Sequence, residues 1–451
     1  MHTLRLRRAI GTVLLGIASV ALPPVLGAQG AALRAGPMNG YATHREAVVW
    51  VQTTGPAKVR IAYWDTLAPG TRWQSEDVTT RADDAFAAKI WLGGLTPGRG
   101  YAYEVLVDGR KVNRPYPHRF QTQALWQWRT DPPPFRLVFG SCFYVNEPAV
   151  DRPGEPYGAG FQILQAMSAA RPDVVLWGGD NTYLREVDWN SRLGVFSRYT
   201  HTRGLPELQP LLAQAHHLAT WDDHDFGPND ADRSYVGRQW TLDAFSTFWA
   251  NPTTGVPGMD GGIATMATWQ DVDLFLLDDR WARAANNRRD ADKPFFGEAQ
   301  VPWLIDALAA SSAPFKLVVS GGQVLNPAAV FENYSTYPAE RERLLRAIEQ
   351  QRIPGVVFLS GDRHHTELTR MPRRGTYPLY DLTVSPLTAG VSRGGENEGN
   401  AWRVEGTYVA ERNFATLDVR GPRTARELVI TVRNADGQER WTRTIKASEL
   451  R

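Results

Sequence analysis

From Phe135 onward, short apolar runs alternate with amphipathic runs, and this alternation limits the fold more than any other feature of the chain. Runs such as FRLVFG, VVLWGG and GVVFLSG have the length and composition of buried strands. The segments AGFQILQAMSAARP and AERERLLRAIEQQRIP repeat apolar residues at helical spacing. Strands that alternate with helices predict βαβ units, in which helices cover the faces of the sheets.

The region before this alternation has a different pattern. Between residues 33 and 125, runs such as EAVVWVQT, KVRIAYWD and YAYEVLVDG alternate apolar and polar residues, with Gly, Pro and Asp between the runs. Strands at this spacing predict a small all-β sandwich of the fibronectin or immunoglobulin kind. The segment TDPPPF is typical of a rigid linker. We therefore predict one domain over residues 33–125 and a second over residues 134–451.

The first 28 residues have the pattern of a secretory signal peptide. Their start is basic and carries no acid, Ala9 to Leu22 form a short apolar run, and small residues near Ala28 suit cleavage. A membrane anchor needs about 20 apolar residues, and two prolines end this run earlier. We expect a protein without a membrane span that is exported to the periplasm or secreted. The pair Arg7-Arg8 leaves both the Sec and the twin-arginine export machinery open as partners.

Charge and cysteine content exclude some functions. Lys plus Arg number 50 and Asp plus Glu number 48, so the formal net charge is only +2. Because a nucleic-acid-binding surface needs an excess of positive charge, we expect no specific binding of nucleic acid. Cys142 is the only cysteine, so an internal disulfide cannot form. A lone thiol in an oxidising compartment is expected to be buried or bound to a metal.

Polar residues of similar chemistry follow five of the strands predicted after the linker. They are Cys142; Asp180 and Tyr183; Asp222, Asp223, His224 and Asn229; Asp278, Asp279 and Arg280; and Asp362, His364 and His365. A single aspartate at such a place would usually cap a helix or a turn. Ligands of layered α/β proteins, however, gather outside the carboxyl ends of the strands. The coincidence at several strand ends therefore predicts one common site.

Carboxylates, imidazole, an amide, a phenol and a thiol can together hold two metal ions side by side. Two such ions clamp the oxygens of a phosphoryl group and lower the pKa of a water molecule between them. Phenolate and thiolate ligands suit Fe(III), whereas oxygen-rich ligands suit Ca²⁺ or Mn²⁺. The residue types therefore indicate a binuclear or larger metal site for phosphoryl chemistry, with Zn²⁺ as a further candidate.

These motifs resemble those of a known family. GGDNTY resembles the G-D-x-x-Y signature of calcineurin-like metallophosphatases of the purple acid phosphatase type. TWDDHDFGPND, SGDRHH and FGSC together resemble the alkaline phosphatase D (PhoD-like) branch, in which a cysteine replaces the usual first-strand D-x-H. The resemblance covers nearly the whole chain after the signal peptide. It implies an α+β fold, the four-layer αββα metallophosphatase sandwich, preceded by the small β domain.

The resemblance also implies an activity and a set of metal ligands. The activity is that of an exported hydrolase whose metal-bridging hydroxide attacks phosphate monoesters or diesters. The implied Fe(III) ligands are Cys142, Asp180, Tyr183 and His364. Asp180 is implied to bridge to a second ion, Ca²⁺ in the family, which Asp362 also binds. Asp223 stands where simpler metallophosphatases place a metal-bound asparagine, and Asn229 is the other candidate for that amide role.

Two further residues receive catalytic roles from the same resemblance. His224 is expected to face the leaving group, and Arg280 is expected to contact the phosphate. We expect His365 to support a ligand rather than to bind a metal itself. Asp278 and Asp279 are expected to orient the arginine that follows them. His216 and His217, on a predicted helix-to-strand turn, are expected to be structural.

Two alternative functions stay open at this point. Phospholipase D-like phosphodiesterases share the same ligands, so the motifs do not distinguish them from phosphatases. An alternative of another class is a secreted β-sandwich binding protein with a structural metal site. The complete ligand set and an arginine open to substrate argue against that second alternative.

Overall fold

Two large mixed sheets and one smaller sheet carry the described part of the chain, residues 30–451, in this computed structural model. The expected signal peptide over residues 1–28 lies outside the described residues. The strands, in chain order, are β1 (Leu33–Ala42), β2 (Ala47–Thr53), β3 (Lys58–Asp65), β4 (Trp73–Gln74), β5 (Val78–Thr79), β6 (Ala87–Leu92), β7 (Gly100–Val107), β8 (Arg110–Lys111), β9 (Arg119–Gln121), β10 (Phe135–Gly140), β11 (Val174–Gly178), β12 (His216–Thr220), β13 (Thr265–Trp269), β14 (Val272–Leu276), β15 (Phe315–Val319), β16 (Val356–Ser360), β17 (Glu367–Met371), β18 (Leu379–Thr383), β19 (Asn413–Arg420), β20 (Glu427–Asn434) and β21 (Glu439–Lys446). The α-helices are α1 (Gln162–Ala169), α2 (Arg192–Arg203), α3 (Gln209–Gln214), α4 (Asp223–Phe226), α5 (Arg238–Phe248), α6 (Gly297–Ala310) and α7 (Pro338–Gln350). None of these helices has the length and apolar content that crossing a membrane requires.

The two large sheets each contain a block of parallel strands. One sheet has nine strands in the order β21-β20-β19-β10-β11-β12-β1-β2-β6, and the other has six in the order β13-β14-β15-β16-β18-β17. Strands β10, β11 and β12 run parallel in the first, and β14, β15 and β16 run parallel in the second. Because parallel strands end at the same edge of a sheet, each block brings the residues that follow its strands together.

The large sheets pack face to face, and helices cover their outer faces. Leu176 of β11 and Leu317 of β15 belong to one apolar core between the sheets. Trp177, next to Leu176, takes the opposite face of its strand and packs in a second core with α1, α2, α3 and α5. On the other sheet, the ring of Phe275 lies 6.4 Å from that of Trp303 in α6. The predicted four-layer αββα architecture is confirmed.

The N-terminal region is all-β, as predicted, and it is continuous with the rest of the protein. Strands β1, β2 and β6 extend the nine-stranded sheet, and β1 pairs in parallel with β12 at Asn39 and His216. The smaller sheet of β3, β4, β5, β7, β8 and β9 packs on this extension, where the Tyr103 hydroxyl donates to the Asn39 amide oxygen at 2.8 Å. Residues 31–451 form one compact unit. The division into 33–125 and 134–451 stays a prediction about how the chain folds.

Several elements lack a pattern from which they could be predicted. Helix α2 buries Arg198, Thr202 and Arg203 as well as apolar side chains, so polar residues interrupt its apolar periodicity. His216 and His217 begin strand β12 instead of forming a turn. Their role is structural, as expected, because His216 Nδ1 lies 2.7 Å from a backbone carbonyl oxygen and His217 accepts the indole N–H of a tryptophan at 3.0 Å.

Trp50 of β2 tests whether the N-terminal strands share the stability of the rest of the chain. It is fully buried, donates its indole N–H to the Thr247 carbonyl at 2.9 Å, and lies 5.7 Å from the Phe248 ring. We expect Trp50→Ala to lower the free energy of unfolding by about 3–5 kcal/mol in urea denaturation, because it leaves a cavity between strand β2 and helix α5. Trp91→Ala, at a tryptophan that is 55% exposed, is the matched control, and it should change stability by about 0.5 kcal/mol or less. An early transition in Trp50→Ala that leaves the later unfolding step unchanged would instead show an independently folding N-terminal domain.

Candidate metal centre

The five predicted strand ends share one local geometry. In β10, β11, β12, β14 and β16 an acidic or thiol side chain lies two residues beyond the last strand residue, namely Cys142, Asp180, Asp222, Asp278 and Asp362. Gly361 lets the ends of the two sheets approach, because a Cβ at that position would fall on the Ser141 side chain. The backbone N–H of Leu387 also donates to the Ser141 carbonyl at 2.8 Å. The carboxyl edges of both sheets therefore meet along one line.

The backbone along this line is strained. Cys142, Asp180, Asp362 and His364 have φ angles of 60°, 52°, 68° and 54°, in the left-handed region that disfavours residues other than glycine. Each such residue costs on the order of 1–3 kcal/mol and persists only where the surrounding structure holds it. Strain of this kind concentrates at functional sites, and four instances here mark the same place as the side-chain chemistry.

Four of the predicted ligands form one contact cluster. The Tyr183 hydroxyl donates to Asp180 Oδ2 at 3.1 Å and lies 3.3 Å from Nε2 of His364. The Cys142 sulfur is 3.6 Å from the same Asp180 oxygen. The structure thus brings together the four residues that the resemblance assigns to Fe(III). Tyr157, which we did not predict, lies with its hydroxyl 3.1 Å from Nδ1 of His364 and so fixes the orientation of that ring.

Asp180 also belongs to a second cluster. Its carboxylate lies with the carboxylate of Asp223 and the imidazole of His224, and one ligand atom from each of the three is within 4.8 Å of the others. The backbone N–H of His224 donates to Asp180 Oδ1 at 3.1 Å, while the other oxygen faces Tyr183. A carboxylate with one oxygen toward each of two donor clusters has the placement that a bridging ligand needs.

Three carboxylates that the sequence did not single out as metal ligands also join these groups: Asp222, Asp230 and Glu332. Asp362 groups with Asp222 and Glu332, and Asp223 groups with Asp230 and Glu332. Asp222 stood within the TWDDHD motif and could have been chosen. Glu332 follows no strand, since it lies in the loop between β15 and α7, and no local pattern marks it.

Asn229 and His365 lie outside these clusters. Asn229 is exposed, and its amide donates to the Asp230 carboxylate at 2.8 Å, so its connection to the site runs through that residue. His365 is fully buried, with Nε2 3.8 Å from Glu367. Neither of its ring nitrogens has a hydrogen-bond partner. His365 is therefore absent from the groups of ligand atoms found among the described residues, and its supporting role stays a prediction.

Arg280 does not present an open guanidinium to a substrate, and this corrects the sequence-based expectation. The side chain is fully buried, its Nε donates to Asp222 Oδ1 at 2.6 Å, and Nη1 and Nη2 donate to Glu332 at 2.9 and 2.6 Å. The carboxylates of Asp222 and Glu332 therefore occupy both hydrogen-bonding edges of the Arg280 guanidinium. Asp278 accepts the backbone N–H of Arg280 at 2.9 Å, so it does orient this arginine. The nearest Asp279 oxygen lies 3.8 Å from the Arg280 Nε.

The site buries more negative charge than its arginines balance. Burial raises the pKa of the Cys142 thiol to about 11. Burial and the charge of Asp223 raise the pKa of Asp180 well above its ordinary value, and burial raises the pKa of Asp362 to about 7. One carboxylate oxygen of Asp222 is buried without a hydrogen-bond partner. A bound cation would supply the missing charge and the missing partner, so the residues present fit a metal centre.

A cavity of about 670 Å³ opens beside the clusters. Its aromatic wall consists of Tyr144, Tyr157, Tyr183, Trp189 and His224. The His224 ring stacks on Tyr183 with centroids 4.2 Å apart. Burial lowers the pKa of His224, so its imidazole is neutral near pH 7. The cavity therefore offers space for an organic group next to the cluster of ligand atoms.

Comparison with known proteins identifies the family. The model of the PhoD-like phosphatase family matches residues 141–425. The chain belongs to the PhoD-like phosphatase family. The preceding residues, 30–125, match a domain of unknown function (DUF7800). The matched range includes all the strand-end residues described above, from Cys142 to His365.

Individual relatives are distant from this chain. Alkaline phosphatase D of Bacillus subtilis (strain 168) is 22% identical over 384 residues, which cover 70% of this chain and 64% of that relative, less than two thirds of its length. A solved structure of PhoD is similar with a TM-score of 0.74 at 15% identity, covering 94% of this chain and 91% of that one. A purple acid phosphatase from yellow lupin (Lupinus luteus) seeds has a TM-score of 0.64 at 13% identity, covering 91% of this chain and 74% of that one. Both likenesses show the metallophosphatase fold.

Glu332 tests the charge balance of the site. It joins the buried guanidinium groups of Arg280 and Arg283, so neutralising it leaves both arginines without their shared partner. We expect Glu332→Gln to lower the free energy of unfolding of the metal-free protein by about 3–5 kcal/mol in urea denaturation. Glu342→Gln, in an ion pair with Arg346 in which both side chains are 61% exposed, is the control, and it should cost about 0.5 kcal/mol or less. Equally small effects of both substitutions would show that Glu332 does not balance the arginines.

Proposed function

We propose that this protein is an exported, metal-dependent phosphoric ester hydrolase. The observation that carries the proposal is the convergence of strand ends from two sheets on overlapping groups of metal-type ligand atoms beside a cavity of about 670 Å³. Membership of the PhoD-like phosphatase family supports the same reaction class. The proposed substrates are phosphate monoesters and diesters, including diesters of the phospholipase D type.

The donor sets support two kinds of metal ion. We propose Fe(III) for the cluster of Cys142, Asp180, Tyr183 and His364, because thiolate and phenolate ligands suit that ion. Asp223 and Asp362, with the unpredicted Asp222 and Glu332, offer oxygen ligands that suit Ca²⁺, with Mn²⁺ or Zn²⁺ as alternatives. When bound, such ions polarise phosphoryl oxygens and lower the pKa of water.

We assign the leaving group to the side of the site that carries His224. This residue lines the cavity, and stacking on Tyr183 fixes its ring. Since burial lowers the pKa of His224, the neutral imidazole would donate a hydrogen bond from its N–H to the leaving oxygen as negative charge develops there. The cavity extends beyond a phosphate group, and its tyrosine and tryptophan side chains suit a carbon-rich alcohol.

We further propose that the chain is exported through its first 28 residues, by the Sec or the twin-arginine route, to the periplasm or the medium. The basic start and short apolar run of that segment support this proposal. Burial of the only cysteine, Cys142, among metal-type ligands also suits an oxidising compartment.

Hydrolysis assays with chelation test the proposed reaction. We expect the metal-loaded protein to hydrolyse p-nitrophenyl phosphate and bis(p-nitrophenyl) phosphate, and chelation to abolish both activities. Asp180→Asn removes a charge shared by two donor clusters, so we expect kcat to fall by at least about 100-fold. Asp306→Asn, at an exposed aspartate of α6, should leave kcat unchanged.

Two outcomes would contradict this proposal. Hydrolysis that survives both chelation and Asp180→Asn would exclude a role for the metal-type clusters. Full metal occupancy without hydrolysis of monoesters or diesters would favour the alternative of a secreted binding protein with a structural metal site.

The visible spectrum tests the assignment of iron. A phenolate bound to Fe(III) absorbs visible light, so protein purified without chelators should be coloured, and Tyr183→Phe should lose the band. Tyr144→Phe is the matched control, because that ring lies only 5.0 Å from Tyr183 but its hydroxyl donates to Asp151 at 2.8 Å. A colourless protein that contains other metals, or a band that survives Tyr183→Phe, would refute iron at this cluster.

A further inference from the structure

A phosphate ester brings negative charge to an edge that is already acidic, so its binding calls for a cationic donor from the protein. Arg280 does not supply one, because Asp222 and Glu332 occupy its guanidinium. Arg283 does not supply one either. Its Nε and Nη1 are buried without a hydrogen-bond partner, but its guanidinium lies against the rings of Phe295 and Tyr337, at 4.4 and 5.0 Å. Both rings are fully buried, so they separate these donors from solvent.

Arg363 differs from Arg280 in the state of its donors, and it differs from Arg283 in being covered by an exposed side chain instead of buried rings. Its Nη2 donates to the Glu398 carboxylate at 2.6 Å, which anchors one end of the guanidinium. Its Nε and Nη1 are buried and have no hydrogen-bond partner. Buried N–H groups of native proteins almost always have a hydrogen-bond partner. The unpaired Nε and Nη1 of Arg363 therefore indicate a ligand that accepts hydrogen bonds from them.

The position of Arg363 places these donors at the acidic edge. Its Nε lies 4.0 Å from Asp362, which groups with Asp222 and Glu332. The ring of Phe331 lies over the guanidinium at 4.2 Å, and that ring is 73% exposed. Glu398 thus holds the guanidinium in place, and a side chain that is itself open to solvent covers it.

We propose that Arg363 is the protein residue that binds the phosphoryl group of the substrate, through the N–H donors that lack a protein partner. An arginine suits this role because its guanidinium matches the spacing of phosphate oxygens and stays charged at every relevant pH. The inference rests on the proposed function and adds to it the residue that recognises phosphate. It also gives that role to an arginine next to a predicted metal ligand, in place of Arg280.

The test compares Arg363→Ala and Arg363→Lys with the wild type, all loaded with metal. In Arg363→Ala we expect the KM for p-nitrophenyl phosphate and the inhibition constant of inorganic phosphate to rise together, by about 10- to 100-fold. Arg363→Lys keeps the positive charge but loses the two-pronged guanidinium, so its KM and inhibition constant should lie between those of the wild type and Arg363→Ala. Metal content should be unchanged in both. Arg346→Ala, at an exposed arginine of α7, is the control and should match the wild type.

Calorimetry with inorganic phosphate makes the test independent of turnover. If the wild type hydrolyses no ester, the proposed function fails, while a phosphate affinity that falls in the Arg363 variants still supports the assignment. Equal phosphate affinity in wild type and variants at equal metal content overturns it. Loss of metal together with phosphate binding also overturns it, because Arg363 would then support the metal ligands. Should Arg363→Ala not fold, Arg363→Lys alone decides between these outcomes.

Discussion

Negative charge buried where the carboxyl edges of the two large sheets meet is the constraint on which the site depends. Asp180 and Asp222 approach from one sheet, Asp362 from the other, and Glu332 from a loop. Charges of one sign repel strongly in an interior of low dielectric constant, so such a group persists only with compensating cations. Arg280 balances part of this charge, and its guanidinium is fully occupied by its contacts with Asp222 and Glu332. Bound cations would supply the remainder, in keeping with the metal centre proposed above beside an arginine whose donors are already occupied.

The same edge depends on strands that the sequence places in a different domain. Strand β12 leads into Asp222, Asp223 and His224, and it is paired with β11 on one side and β1 on the other. The N-terminal strands therefore complete the sheet beside the strand that carries these ligands. Trp50 reaches across to Thr247 in α5, which also fixes this region against the helical layer. We infer that the N-terminal strands help to hold β12, and with it Asp222, Asp223 and His224, in position.

Identical residue types at neighbouring strand ends have different roles because their partners differ. Arg280 is enclosed by Asp222 and Glu332, whereas Arg363 has one carboxylate partner and two free donors. His364 lies in the cluster with Tyr183, whereas the adjacent His365 packs away from it near Glu367. Membership of the PhoD-like phosphatase family is consistent with the overall ligand arrangement. The contacts of the two arginines support the different roles proposed for them.

The sequence by itself determined the layered fold and the edge at which Cys142, Asp180 and Asp362 lie. The reason is local: apolar periodicity reports which faces of an element are buried, and parallel strands bring the residues after them to one edge. It did not determine the place of Glu332 at this edge or the enclosure of Arg280, because both depend on a loop whose position no periodic pattern encodes. Helix α2 was missed for a related reason, since its buried arginines are paired or packed by distant residues. Only the packing of the two sheets decided which polar groups meet, because the free energy of a buried charge depends on its partners and not on its neighbours in the chain.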